Sequence, residues 1–589
     1  MPIMSMRWTG AGGRARRGAA LLGLLALFGP LAAGARDPGT ALTGRVRAAG
    51  APQEGVVVSL RREDGVITAV TSDARGRFRF DRGHIAPGRY ALDVRAAGYV
   101  LASGELIVEI APRRATTLGL ELAAVRDVDT LASQLTSLEW VMSFPGTDAQ
   151  KDVVVRNMVN CGFCHSLERI ARSTHDAAAL KQVIQRMSTY ESDHSSHLRI
   201  QPVSAPPPLD GLRWWGRDAD AIAAYFAKIN LSGGRTTWDY ALQTLPRPTG
   251  KATRAIVTVY TLPRQPSVIH DLDVDRDGNV WFGNTGYDFL GRLDPKTGRF
   301  TEFPAPNFLP EAKPDELPRI EGVQDIQVDP TGVVWAAIGG TKLAGFDPKL
   351  EAWSIVDLPA VWRNPFLGPV RDGERYLWAT GLYAAPDGFT QRHEQAFRLD
   401  TVTRRLDRSA VLFDGLPQPD DPDHVPALNY CYMMDQDTAG RFLCTVPEPS
   451  AIARIDDAGQ VRLIPTPTPR AYPRRGYRDD DNRFWFGEFY GDRIGVIDLG
   501  TDRITEYPVA PKYISPYYAR PDGKGHVFAS STGSDRLLRL DPRTGEVVQY
   551  LLPVTYDSRK VVVDRRAKIT TVWLPNKNHA QLIRVEVPE

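Results

Sequence analysis

The chain has 589 residues, 42% of them hydrophobic and 24% charged, with a formal net charge of +2. That length requires several domains, and that composition excludes a wholly disordered, collagenous or multi-span membrane protein. Four arginines and no acids precede residue 36, so the remainder carries 68 bases against 70 acids and gives no electrostatic reason to expect nucleic acid or an anionic membrane as partner.

Arg14, Arg16 and Arg17 precede an apolar run over 19–31, followed by Ala33-Gly34-Ala35. These are the basic region, apolar region and small-residue site of a secretory signal peptide. The run is shorter than the roughly 20 residues of a spanning helix, and Pro30 interrupts it. Residues 1–35 are therefore expected to be cleaved after Ala35, with export to the periplasm and no transmembrane segment in the mature protein.

Over 41–123, apolar residues alternate at 42–46, 56–60, 67–71, 77–80 and 90–94, and Asp73-Ala74-Arg75-Gly76 and Ala86-Pro87-Gly88 punctuate them as turns. About seven short strands in this span predict a β-sandwich. The run TGRV…GVVVSL…TSDARGRFRF…IAPGRYALDVRAAGY resembles the carboxypeptidase regulatory-like domain, which implies a spacer or adhesion module.

Over 125–232 the pattern turns helical, with apolar residues at helical spacing in 131–142, 148–160, 177–190 and 218–229. Cys161-Gly162-Phe163-Cys164-His165 is the C-x-x-C-H pattern of c-type haem attachment. Two thiolates bond the haem vinyl groups and the imidazole supplies the proximal ligand to iron. A redox dithiol would need an α/β setting, and a zinc site would need two nearby ligands, whereas Cys431 and Cys444 lie far off. The segment resembles a class I-like cytochrome c domain, which implies covalent haem c and a periplasmic electron-transfer partner. For the sixth ligand the resemblance favours Met187. The interval from His165 is short for that family, so His194 and His197 stay open.

From 252 to 589, seven segments repeat a plan of inner strand, acidic-glycine turn and further strands, as in HDLDVDRDGNVWFGN and RRGYRDDDNRFWFGE. Trp281, Trp335, Trp378, Cys444, Trp485, Phe528 and Trp573 are read as equivalent positions. Their spacing gives a base period of about 40 to 45 residues, that of four-stranded propeller blades. The last segment has three strands, and 255–262 is expected to supply its fourth, closing the ring without open edges. The fold class is thus multidomain and mainly β: β-sandwich, α-helical cytochrome c domain, seven-bladed β-propeller. GNVWFGNTGYDFLGRLDPKTGRFTEFP and RFWFGEFYGDRIGVIDLGTDRITEYP resemble the streptogramin (virginiamycin B) lyase family.

Asp275, Asp329, Asp435, Asp479, Asp522 and Asp564 are read as ending inner strands, which places His270, Gln324, Tyr430, Arg474, Tyr517 and Arg559 around the channel mouth. A second ring follows three residues after each tryptophan-equivalent: Asn284, Ile338, Gly381, Pro447, Glu488, Ser531 and Asn576. The lyase resemblance implies histidine and glutamate around magnesium in an elimination that opens a cyclic ester. Only His270 and Glu488 match in type, and the second histidine is absent. Two arginines, two tyrosines and a histidine suit a small anionic or hydroxylated ligand; the competing reading is a water-filled tunnel. Cys431 and Cys444 flank a turn and would be a disulfide or packed thiols. The functional expectation is a periplasmic haem c protein carrying out electron transfer, coupled to ligand oxidation or binding at the propeller. The alternatives are a C–O lyase with an accessory cytochrome and a non-catalytic ligand-binding propeller.

Overall fold

Alternating burial along Thr40–Ala48 places Leu42 and Val46 inside one sheet of a sandwich. The computed structural model describes residues 39–157, 165–188, 218–265, 267–308, 320–338, 342–356, 358, 362–384, 392–413, 430–456, 459–577 and 579–588. The expected signal peptide, Cys161, Cys164, His194 and His197 lie outside them. Nine strands between Thr40 and Ala124 form the sandwich. One sheet is built on Thr40–Ala48, flanked by Thr116–Ala124 and Arg77–Asp81. The other runs Ile67–Thr71, Val57–Arg61, Gly88–Arg95, Leu106–Ile110, and Val58, Leu60, Phe78, Phe80, Leu92 and Leu120 fill the space between them.

Beyond residue 262 the chain makes six antiparallel four-stranded sheets in succession, the first from Ile269–Val274, Val280–Asn284, Phe289–Asp294 and Arg299–Pro304. The inner strands of the next five are Val323–Val328, Trp362–Leu367, Met433–Gln436, Pro473–Arg478 and Pro516–Pro521. A seventh sheet combines Val562–Asp564, Thr570–Asn576 and Gln581–Val587 with Ile256–Thr261, in register from Ile256↔Glu586 to Thr261↔Gln581. Strands from both ends of the repeat region thus share one blade.

Ile256–Thr261 has a second antiparallel partner, Ile67–Thr71, paired from Ile256↔Val70 to Val259↔Ile67. Sandwich and seventh blade therefore share one eight-stranded sheet. Arg95 adds hydrogen bonds to the Leu552 and Val554 carbonyls at 2.8 and 3.1 Å and an ion pair to Asp535. The sandwich covers the edge of the blade.

The helical segment holds α1 (Val128–Gln134), α2 (Ser137–Ser143), α3 (Asp148–Arg156), α4 (Glu168–Ala171), α5 (Ala177–Ser188) and α6 (Ala219–Ile229). The single helix expected over 131–142 is broken at Thr136, whose hydroxyl accepts from Glu139 N while Glu139 reaches back to Thr136 N. This capping box starts a new helix. Trp140, Val141, Phe144, Ile222 and Phe226 share one core with Trp485, Ile494, Ile514 and Leu538 of the fifth and sixth blades. Leu138 N donates to Gly533 O at 2.7 Å, and Tyr490 Oη donates to Arg156 O at 2.9 Å. Residues 39–589 form one compact unit. Among the described residues no helix is long and apolar enough to cross a membrane.

Candidate functional site: the propeller axis

In five blades the inner strand skips a pairing position. In the first, Ile269 pairs with Asn284 but Leu272 with Phe282, so His270 and Asp271 together oppose Gly283. The same irregularity occurs at Gln324-Asp325, Arg474-Arg475 and Tyr517-Tyr518. A β-bulge re-aims a side chain that simple alternation would send to the other face. A Cβ on Gly283 would lie 2.6 Å from Val323 O, and one on Gly487 2.6 Å from Pro516 O. The next blade's backbone occupies the space a side chain would need.

The bulged residues meet across the ring. Arg475 of the fifth blade lies 2.9 Å from Asp271 of the first and 3.1 Å from Asp325 of the second. Lys560 of the seventh lies 3.3 Å from Asp271 and donates to Ile326 O at 2.7 Å. His270 Nδ1 is 2.8 Å from Asp271 and 3.5 Å from Asp325. Such contacts between non-adjacent blades require a common axis. Asp271, Asp325, Arg475 and Lys560 are each 1% exposed, and their two negative and two positive charges cancel, which lets them be buried together. Burial alone would raise the Asp271 carboxyl, but Arg475 and Lys560 outweigh it and hold it well below the usual range. At this level the axis holds an ion-pair cluster.

A second cluster is aromatic. The Arg474 guanidinium lies 4.5 Å from the ring centroid of Tyr432, 4.6 Å from Tyr472, 5.4 Å from Phe489 and 5.6 Å from Tyr517. Arg474 is buried and its Nε has no hydrogen-bond partner. Tyr432 and Tyr517 hydrogen-bond through their phenol oxygens. Arg559 sits 4.9 Å from the Tyr517 ring and 3.1 Å from Asp557. Burial would raise the Tyr517 phenol, but Arg559, Arg474 and Arg475 bring it below its ordinary value, whereas burial and Tyr517 push Tyr432 up.

The fourth blade corrects the register read from sequence. Asp275, Asp329 and Asp479 each accept two turn amides and the indole N–H of Trp281, Trp335 and Trp485, at 2.9, 2.8 and 2.9 Å. In the fourth blade Asp437 accepts the turn amides of Ala439 and Arg441. Asp435 instead lies inside the strand and binds Arg371 at 2.8 Å. The tryptophan-equivalent is therefore Leu443, paired with Asp435 as Trp281 is with Asp273, and not Cys444. Three positions on stands Val446, not Pro447, and the axial residue is Tyr432, not Tyr430. Tyr430 is half-buried with its ring 6.1 Å from Tyr432. Without an indole to mark the clasp, two acids two residues apart gave the same pattern.

Glu488 and His270 are turned to different neighbours. Glu488 faces Gly491, Gly495 and Glu506, neither oxygen has a hydrogen-bond partner, and burial with Glu506 pushes its carboxyl up to about 9. In the same ring Asn284 accepts from Gly286 N at 2.9 Å and Asn576 from Asp557 N at 3.1 Å, so these side chains tie loops. Gln324 is buried on the second blade. His270, Asp271 and Asp325 have ligating atoms within 4.8 Å of one another. Arg475 and Lys560 already neutralise these carboxylates, so a magnesium ion does not fit there. Asp271, Asp325 and Arg475 were missed by sequence reasoning because a bulge leaves no periodic mark; Tyr432 was missed through the register of the fourth blade, and Lys560 carries no motif.

His165 Nδ1 lies 2.9 Å from Ser166 O. The carbonyl can only accept, so this contact suits the tautomer with its proton on Nδ1, in which Nε2 is the metal-binding nitrogen. That tautomer fits a proximal haem ligand. Met187, on α5, packs partly buried against the helical core. Cys431 and Cys444 form a disulfide with Cα atoms 5.5 Å apart. A cavity of about 370 Å³ lies where the sandwich, helices and propeller meet, lined by His165, Arg95, Arg536, Asp557 and His579.

Residues 41–123 match the family model of the carboxypeptidase regulatory-like domain. Over 264 residues, 43% of this chain and 75% of the relative, the sequence is 28% identical to a virginiamycin B lyase of Nocardia farcinica. A solved streptogramin B lyase is 18% identical, over 58% of this chain and 100% of that one, with a TM-score of 0.43. A selenomethionine-substituted virginiamycin B lyase from Staphylococcus aureus is 17% identical, over 56% and 99%, with a TM-score of 0.42.

Proposed function

We propose that this chain is an exported, periplasmic haem c protein that transfers electrons and couples this to oxidation or binding of a small anionic or hydroxylated ligand at the propeller axis. The observation that carries the reading is the placement of His165. With Nδ1 on Ser166 O, it lines the same cavity as Asp557, the partner of Arg559 beside Tyr517. Cys161 and Cys164 would hold the haem, which supplies one-electron transfer when bound. Residues 125–232 would then be the cytochrome c domain, with Met187, His194 or His197 as distal ligand. Arg474, Arg559, Tyr517 and Gln324 would hold the ligand, and a periplasmic protein would exchange the electron. Matured protein is expected to gain the mass of one haem and a dithionite-induced α-band, both lost in Cys161→Ala/Cys164→Ala. Bare polypeptide would end the reading. A far-red sulfur-to-iron band lost in Met187→Ala would select methionine over the histidines.

The sequence match favours a second reading, elimination of the C–O lyase class with the helical segment as accessory. Its base would be His270, oriented by Asp271, without the metal that the axis does not fit. This reading expects turnover lost in His270→Ala and kept in Cys161→Ala/Cys164→Ala; the opposite pattern would support the redox reading. No change in either would leave a binding propeller.

A further inference from the structure

We propose that Tyr432 and Tyr517 are a proton-transfer pair at the propeller axis, serving a small hydroxylated molecule whose anion is then held by Arg474. The inference deepens the channel reading and rests on it for the ligand, but the pair stands on its own geometry. Tyr432 comes from the fourth blade and Tyr517 from the sixth, and their phenol oxygens are bonded directly to one another. Arg474 and Arg475 of the fifth blade and Arg559 of the seventh all lie within 6.0 Å of one ring or the other.

The surrounding acids are committed elsewhere. Asp271 and Asp325 bind Arg475, Asp557 binds Arg559, and Glu448 accepts from Tyr472 at 2.7 Å. Phe489 packs 6.0 Å from the Tyr517 ring, and Phe366 and Tyr430 each 6.1 Å from that of Tyr432, so the neighbours of the pair on these faces are aromatic. Arg475 and Arg559 share their charge with these acids, whereas Arg474 stands in no ion pair among the described residues and lies against both rings, so its charge favours an ionised phenol. Arg474, buried, with an orphan Nε and surrounded by rings, is a cation for which the described residues supply no paired anion.

The two phenols differ in access. Tyr517 is fully buried and Tyr432 is half-buried. Tyr432 therefore meets the ligand and Tyr517 stores the proton. The ligand O–H breaks as its proton passes to Tyr432 Oη, and Tyr432 gives its own proton to ionised Tyr517 Oη. The negative charge moves from Tyr517 to the ligand oxygen beside Arg474, and no electron is exchanged. Splitting the proton affinities of two touching groups is how a site keeps an acid and a base side by side.

The test is the near-ultraviolet titration of tyrosine ionisation in the full chain, with 4-nitrophenol as ligand probe because its ionised form absorbs in the visible. One tyrosine is expected to ionise well ahead of the rest. That step should be lost in Tyr517→Phe and delayed in both Tyr432→Phe and Arg559→Gln. Bound 4-nitrophenol should be ionised, and its affinity should fall about tenfold or more in Arg474→Met. An early step that survives Tyr517→Phe, or no early step at all, overturns the pair even if 4-nitrophenol binds. An early step of the expected origin without 4-nitrophenol binding leaves the pair standing and overturns its ligand and the channel reading.

Discussion

Loss of the Arg475 guanidinium would leave Asp271 and Asp325 buried without their shared partner, with Lys560 as the remaining cation at 3.3 Å from Asp271. Breaking a buried pair from one side costs about 3–5 kcal/mol, so Arg475→Leu should lower the unfolding free energy by that amount in denaturant titrations. Glu488 has the opposite character, a buried carboxyl held neutral. Its folded value, about 9, lies above its ordinary one. Between those two values the unfolded chain binds fewer protons than the folded one, so stability contributed by the neutral form is present below the ordinary carboxylate range and lost as pH rises toward 9. Glu488→Gln should flatten this slope, read as a smaller drop in denaturation midpoint between about pH 5 and about pH 8. The clasp of Asp275, Asp329 and Asp479 on the indole six residues later is local, so its spacing was legible. Where Leu443 replaces the indole, legibility failed and the reading slipped by two residues on the inner strand and by one on the next.

At the scale of elements, Ile256–Thr261 closes the seventh blade and also carries the sandwich. A chain beginning after residue 124 would expose this strand's outer edge, and exposed edges template association. Light scattering on that truncated chain should show aggregation that the full chain does not. The disulfide closes a short loop, Cys431 and Cys444 being 13 residues apart. Cys431→Ala/Cys444→Ala should lose about 2–3 kcal/mol, seen as a lower thermal midpoint. Alternation revealed the sandwich strands, but their pairing with a strand nearly two hundred residues on, as in Thr258↔Thr68, depends on two unpaired edges meeting. The break at Thr136 was also missed, because apolar spacing continues across it while the cap restarts the helix.

Across the whole molecule, the helices and the fifth and sixth blades share one core. Trp140, buried at the join with its ring 5.0 Å from Trp238, should cost about 3–5 kcal/mol when cut to alanine. Calorimetry of Trp140→Ala should show the helical and blade transitions falling together; a fall confined to the helices would mean separate cores. By itself the sequence determined a sandwich over 41–123 and a repeating blade pattern after 252, and it named the C-x-x-C-H segment on which the haem proposal rests. These are signals written within a few tens of residues. Only the tertiary structure decided what stands on the axis, because Arg475 reaches Asp271 across 204 residues and Lys560 reaches Ile326 across 234. Blades converging on one line, with bulges that turn two successive side chains inward, bring these groups together, and neither the convergence nor the bulge has a period that a linear sequence displays.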